Sequence, residues 1–243
     1  MRRLVHLAAA AMVLCAGCAD PEDSIVLGGF LLGLPDPAPT SGLEAELTVF
    51  LGRGLSPLEV ASNTIQDADS VVGAASGVEV AVPHVADGFY ITHTDESPAL
   101  AYRAEPWTVS AAFDGRQVEV QFDAPGPAAL FGAPLDGTWT VDTPLTLSLP
   151  DAGADRGFVW VNGPDGEVSW TDEALTTGEL LRWLDSDEGY PEALIPGEAF
   201  AVPGQHRVVT VAAVDAGAEG FLGVGDRSRF SAGVASVLLL EVQ

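Results

Sequence analysis

The segment Trp107-Thr108-Val109-Ser110-Ala111-Ala112-Phe113-Asp114-Gly115-Arg116-Gln117-Val118-Glu119-Val120-Gln121-Phe122 decides how the rest of this chain is read. Trp107, Val109, Ala111 and Phe113 recur with a period of two, and so do Val118, Val120 and Phe122. That is the spacing of side chains sharing one face of a strand. Asp114-Gly115 between the two runs tolerates the positive φ angles of a two-residue turn whose twist matches its strands. The segment is predicted to be a β-hairpin with one buried face.

The same period extends in both directions. Upstream, residues 46–51 read as a strand, and Ser56-Pro57-Leu58-Glu59 matches a helix capping box of one or two turns. Val78, Val80 and Val82, then Phe89, Ile91 and His93, read as a second hairpin turning at Asp87-Gly88. Downstream, Pro125-Gly126-Pro127 opens a break in composition that runs to Pro134 and is of the kind found between domains. Strands resume at 145–149, 158–161, 167–170, 206–214 and 234–242, and Thr176-Thr177-Gly178-Glu179 caps a short helix near 177–185. Short strands punctuated by Gly and Pro argue for an all-β protein of two β-sandwich domains. The expected division is 1–17 leader, 18–43 tether and first strand, 44–124 N-terminal sandwich, 125–137 linker and 138–243 C-terminal sandwich.

From Glu46 to Ala124 the order of strand, variable insert, Val78-rich strand, Asp87-Gly88-Phe89-Tyr90, Trp107 strand and Asp114-Gly115 turn resembles the transthyretin-like or carboxypeptidase-regulatory-like sandwich. Residues from about 138 to 243, with Ile195-Pro196-Gly197-Glu198-Ala199-Phe200 leading into 204–214, are similar to fibronectin-type or immunoglobulin-like modules of bacterial envelope lipoproteins. Neither resemblance carries catalytic residues. Both imply display, binding or scaffolding.

The beginning of the chain says where it is expected to act. Arg2 and Arg3 form a positive n-region, residues 4–14 an apolar run interrupted by His6, and Ala16-Gly17 the small residues that precede a cleavage site. The run is about half of the ~20 residues that cross a bilayer, so it reads as a signal peptide. Ala16-Gly17-Cys18 resembles the lipobox of bacterial lipoproteins, with Cys15 where leucine is usual. The resemblance implies that Cys18 is lipidated on its sulfur and becomes the acylated amino terminus. Ala19, standing where an Asp would favour inner-membrane retention, implies outer-membrane sorting. An ordinary secretory signal cut near Ala16 or Gly17 is the competing reading.

All ten basic residues are arginines, and two of them precede residue 18. The remaining chain therefore carries eight basic and 35 acidic residues, a formal charge of −27. Such a surface repels nucleic acid, which is excluded as a partner, and attracts divalent cations loosely. Cys15 leaves with the leader and Cys18 is taken by lipid, so no disulfide is expected and packing alone holds the fold.

Chemistry-bearing residues are few. His84 and His93 would lie diagonally on one face of a regular hairpin, near Asp95 and Glu96, as a metal site would require; two edge histidines are the plainer reading. His206 is the third histidine after the leader. Asp185, Asp187, Glu188 and Glu192 form the densest acidic stretch. An EF-hand would need Gly at its sixth position and Glu at its twelfth, where Tyr190 and Pro196 stand, so only a non-EF Ca²⁺ loop on Asp185, Asp187 and Glu188 remains open. Of five tryptophans, Trp107 and Trp160 follow strand alternation as core residues; Trp139, Trp170 and Trp183 leave a glycan platform open. There is no Gly-x-Ser-x-Gly elbow, His-Glu-x-x-His or phosphate-binding glycine loop. The expected function is that of a non-catalytic, lipid-anchored envelope protein acting as adaptor or scaffold on an envelope protein partner. Calcium or glycan binding is the alternative and an envelope hydrolase the remotest reading.

Overall fold

A computed structural model of the chain describes residues 24–35, 43–54, 60, 62–126, 132, 134, 136–148, 156–171, 192–226 and 228–243. Sixteen strands are found among these residues. They are β1 (Ile25–Pro35), β2 (Leu43–Arg53), β3 (Ser70–Ala75), β4 (Val78–Ala81), β5 (His84–Ala86), β6 (Phe89–His93), β7 (Pro106–Phe113) and β8 (Arg116–Asp123). There follow β9 (Thr138–Trp139), β10 (Leu145–Ser148), β11 (Arg156–Asn162), β12 (Val168–Thr171), β13 (Glu192–Ile195), β14 (Gly204–Asp215), β15 (Phe221–Leu222) and β16 (Arg229–Val242).

The β7–β8 hairpin closes as its sequence requires. Phe113 pairs with Arg116 around Asp114 and Gly115, whose φ angles of 51° and 70° are both positive. Trp107, Val109, Ala111, Phe113, Val118, Val120 and Phe122 all enter one core. The hairpin is the centre of a five-stranded sheet ordered β15-β8-β7-β3-β4.

The expected hairpin over 78–94 is divided between two sheets. A turn at Ser76-Gly77, with φ of 48° and 76°, folds β4 back on β3 in the five-stranded sheet. β5 and β6 lie in the other sheet. The crossing is at Val82-Pro83, where the Val82 amide still donates to Val71 O (2.8 Å) and Pro83 O already accepts from the Ile91 amide (3.0 Å). Proline has no N–H to keep the chain in a ladder, so it marks the corner.

The larger sheet runs β12-β11-β14-β16-β1-β2-β6-β5, with β9 beside the end of β16. The segment 125–137 therefore does not part the sheets. β1 pairs parallel with β16 from Gly28↔Arg229 to Gly33↔Val234, and antiparallel with β2 along its whole length. Residues 25–33 are almost continuously apolar because this strand is central, with Val26 and Leu27 both fully buried on opposite faces.

β16 also joins two cores. Its even-numbered side chains Phe230, Ala232 and Val234 pack with both sheets in the first core, while Leu240 and Val242, flanked by Leu238, enter a second. The second core is completed by Leu145 and Leu147 of β10, Ala193 and Ile195 of β13, Val159 and Val161 of β11, and Phe200 in the 3-10 turn Gly197–Phe200. β10 and β13 form their own two-stranded sheet.

Glycines in β1 make room for rings. A Cβ at Gly29 would meet Phe230 and stand 2.6 Å from Thr48 O, and one at Gly33 would stand 2.5–2.8 Å from the Tyr102 ring. The Tyr102 hydroxyl donates to Pro125 O at 2.7 Å. Burial holds this phenol well above the ordinary tyrosine value of 10.0. Tyr90 is also raised, by burial first; a hydrogen bond with the Ala68 amide opposes the shift and the charge of Asp67 adds to it. Both groups stay protonated in the fold at a pH where the unfolded chain has released the proton. Their contribution to stability is thus intact below pH 10 and lost as pH rises above it, most of it through Tyr102, at up to about 1.4 kcal/mol per pH unit. In an alkaline titration, Tyr102→Phe should flatten this decline while costing about 1 kcal/mol at neutral pH through the unpaired Pro125 carbonyl. Unchanged alkaline sensitivity, read by circular dichroism, would contradict the assignment.

Candidate functional site

A buried charge stands out on the face of the larger sheet that points away from the first core. Along β2, Ala45, Leu47, Val49 and Leu51 enter that core, so Glu46, Thr48 and Phe50 project from the opposite side. Glu46 is 3% exposed. An isolated carboxylate so placed would be costly, and hydrogen bonds offset the cost. The Thr48 hydroxyl donates to Glu46 Oε1 at 3.2 Å, and His93 Nδ1 lies 3.2 Å from Oε2. The histidine is placed by register: His93, at the end of β6, is directly opposite Glu46.

This carboxylate fixes the orientation of a half-exposed imidazole. The Thr48 hydroxyl and the His93 ring meet different oxygens of the carboxylate, so Glu46 ties the two side chains together and orders the histidine. The sequence does not signal Glu46 as a site residue. In Glu44-Ala45-Glu46-Leu47-Thr48-Val49 the polar residues alternate like those of an ordinary solvent-facing side, and nothing local signals that this side is buried.

His84 and His93 are not brought together. A regular turn at Asp87-Gly88 would set His84 opposite Ile91; an irregularity between His84 and Ala86 sets it opposite Tyr90 instead. One residue of slip reverses the face of a strand. The His84 ring accordingly meets the Tyr90 ring at 5.2 Å, on the other side of the sheet from His93. Among the described residues, no group of three or more His, Cys, Asp or Glu side chains is placed to hold a metal ion.

His206 is 1% exposed, with Nδ1 3.1 Å from Gly204 O and its ring 5.6 Å from that of Phe200. It is a packing residue. Trp107 is core, its indole N–H donating to Arg103 O at 3.0 Å, and Trp139 donates to Thr143 O at 2.8 Å. Trp139 and Trp170 border the second core, and Trp160 packs beside Val209 and Val211 on the outer face. Cys18, Asp185, Asp187, Glu188, Trp183, the capping box at 56–59 and the helix expected near 177–185 lie outside the described residues.

Val85, Val168, Leu194, Val202, Leu222 and Leu239 are the large apolar side chains exposed among the described residues, at 41–67%. They sit singly on separate strands and loops, as the surface of a folded protein tolerates.

No family model matches the chain, and no curated protein matches it. Among solved structures it is distantly similar to fibronectin(III)-like modules of CbhA from Clostridium thermocellum, at 12% identity and a TM-score of 0.24, covering 89% of this chain and 91% of that one. A bacterial ice-binding adhesin matches at 11% identity and a TM-score of 0.26, over 90% of this chain and 65% of the other. A three-Ig structure of titin domains matches at 9% and 0.24, over 90% and 64%.

Proposed function

We propose that this chain is a lipid-anchored extracytoplasmic protein of the bacterial envelope, sorted to the outer membrane, which acts without catalysis as an adaptor or scaffold for an envelope protein partner. The observation that carries the reading is the succession Arg2-Arg3, apolar 4–14, Ala16-Gly17-Cys18. A thiol at the new amino terminus behind small residues is what lipidation and cleavage at the membrane surface require. One acyl chain holds a protein only marginally, at about 0.8 kcal/mol per buried methylene, whereas several hold it almost permanently. Behind such an anchor, two cores sharing one long sheet make a stiff support that presents loops and strand edges at fixed positions.

Cys18→Ser tests the anchor. The variant should leave the membrane fraction and lose incorporation of labelled fatty acid, while the parent protein retains both. Continued membrane association of the variant would remove Cys18 as the anchor.

A further inference from the structure

If Cys18 carries the lipid, as proposed above, the register of the sheet sets which end of the molecule meets the bilayer. Cys18 and Ser24 are six residues apart in the chain, a reach of at most about 20 Å when fully extended. From Ser24 onward the chain is fastened. Ser24 is buried, Ser24 O accepts the Gly54 amide at 3.0 Å, and Ile25 O accepts the Gly225 amide at 2.8 Å. Three turns gather at this end. Ile25 pairs with Arg53, whose guanidinium is ion-paired with Asp114 of the β7–β8 turn. The Leu51 amide, two residues away in β2, donates at 3.0 Å to Gly88 O of the β5–β6 turn. Gly225 belongs to the connection that leads into β16.

β16 points the other way. It starts beside β1, at Gly28↔Arg229, runs parallel to it and continues past it to Val242. Thirteen strand steps from Arg229 to Val242 amount to about 40 Å. At that far end Val242 pairs with Gly204, and Pro164 of the β11–β12 turn lies against Gly204, 3.0 Å from where its Cβ would stand. The second core is built there.

The geometry points to a standing orientation on the membrane. The end bearing the Asp87-Gly88 and Asp114-Gly115 turns faces the lipid headgroups, and the end bearing the turn at 163–166 and the start of β14 is held tens of ångströms out. The anchor's reach is half the length of β16, so the far end cannot take the near end's place at the point of attachment. The charge of −27 disfavours laying a flank on an anionic surface, since repulsion between like charges falls away within about one Debye length and an end brings less of the protein inside it than a side does.

Cys15 leaves with the leader and the sulfur of Cys18 carries the lipid, so labels at introduced cysteines report single positions. Gln117, at the near end opposite Ala112, and Gln205, at the far end opposite Glu241, are both exposed. The full chain, purified in its acylated form as Gln117→Cys or Gln205→Cys, would be spin-labelled and placed in phosphatidylethanolamine–phosphatidylglycerol vesicles that display a nickel chelate on their headgroups. Relaxation of the label by nickel should be several-fold stronger at 117 than at 205. Protein that sediments with the vesicles but shows equal relaxation at both positions, or more at 205, overturns the orientation while leaving the anchor in place. Protein that does not sediment overturns the anchor, and the orientation with it.

Discussion

Phe230→Ala lowers the stability of the fold by about 3–5 kcal/mol, the cost of removing a buried aromatic side chain and leaving its cavity. The ring is 1% exposed, stacks on Phe122 with centroids 4.7 Å apart and planes 25° from parallel, and lies over the bare backbone of Gly29. It therefore touches β8 of one sheet and β1 of the other at the same time. Neither sheet can close on the vacancy without pulling its own strands out of register, which places the expected cost in the upper part of the range for such truncations. Against a total of about 5–15 kcal/mol for a typical domain, this is a fifth of the stability or more. Phe230→Leu should recover much of it by refilling the volume. The measurement is denaturant unfolding: the midpoint should fall while the slope is unchanged. A loss below about 1 kcal/mol would show that the ring does not join the two sheets.

What the sequence discloses follows the range of the interactions. Asp114-Gly115 and the alternation on either side of it form a local device, complete within sixteen residues, and the hairpin forms with the register those residues dictate. The all-β class is legible for the same reason. The neighbours of β1 are not. Its apolar run marks a first strand, but its parallel partner begins about 200 residues later, and nothing near residue 25 names it. Strands from either side of 125–137 share the larger sheet because β16 is long enough to enter both cores, a property of its length and pairing rather than of the Pro-Gly composition upstream. His84 is misplaced by a single irregularity in β5, and Glu46 is overlooked because burial of the second sheet face depends on distant strands. The expectation for Cys18 rests on a local motif and depends on no fold at all.

The sharing of β16 has a thermodynamic consequence. Leu240→Ala, at a fully buried position in the second core, should cost about 2–5 kcal/mol, and the cost should appear in the same unfolding transition that Phe230→Ala lowers. Two sandwiches joined by a linker would melt separately, each variant moving its own transition. Here β14 pairs with β16 without interruption from Gly204↔Val242 to Asp215↔Ser231, passing from the second core to the first. β1 holds the first half of β16 on its other side. If the second core melted alone, Leu238, Leu240 and Val242 would be exposed while the same strand stayed fixed six residues earlier at Ala232, and the β14 ladder would have to open in its middle. Local opening of that kind forfeits backbone hydrogen bonds and apolar burial together, without releasing the entropy of a whole domain. Calorimetry of the parent chain should accordingly give one transition with calorimetric and van't Hoff enthalpies equal, moved downward by either substitution. Two resolved transitions, one answering to position 230 and the other to 240, would establish instead that the cores are independent and that β16 is a hinge between them.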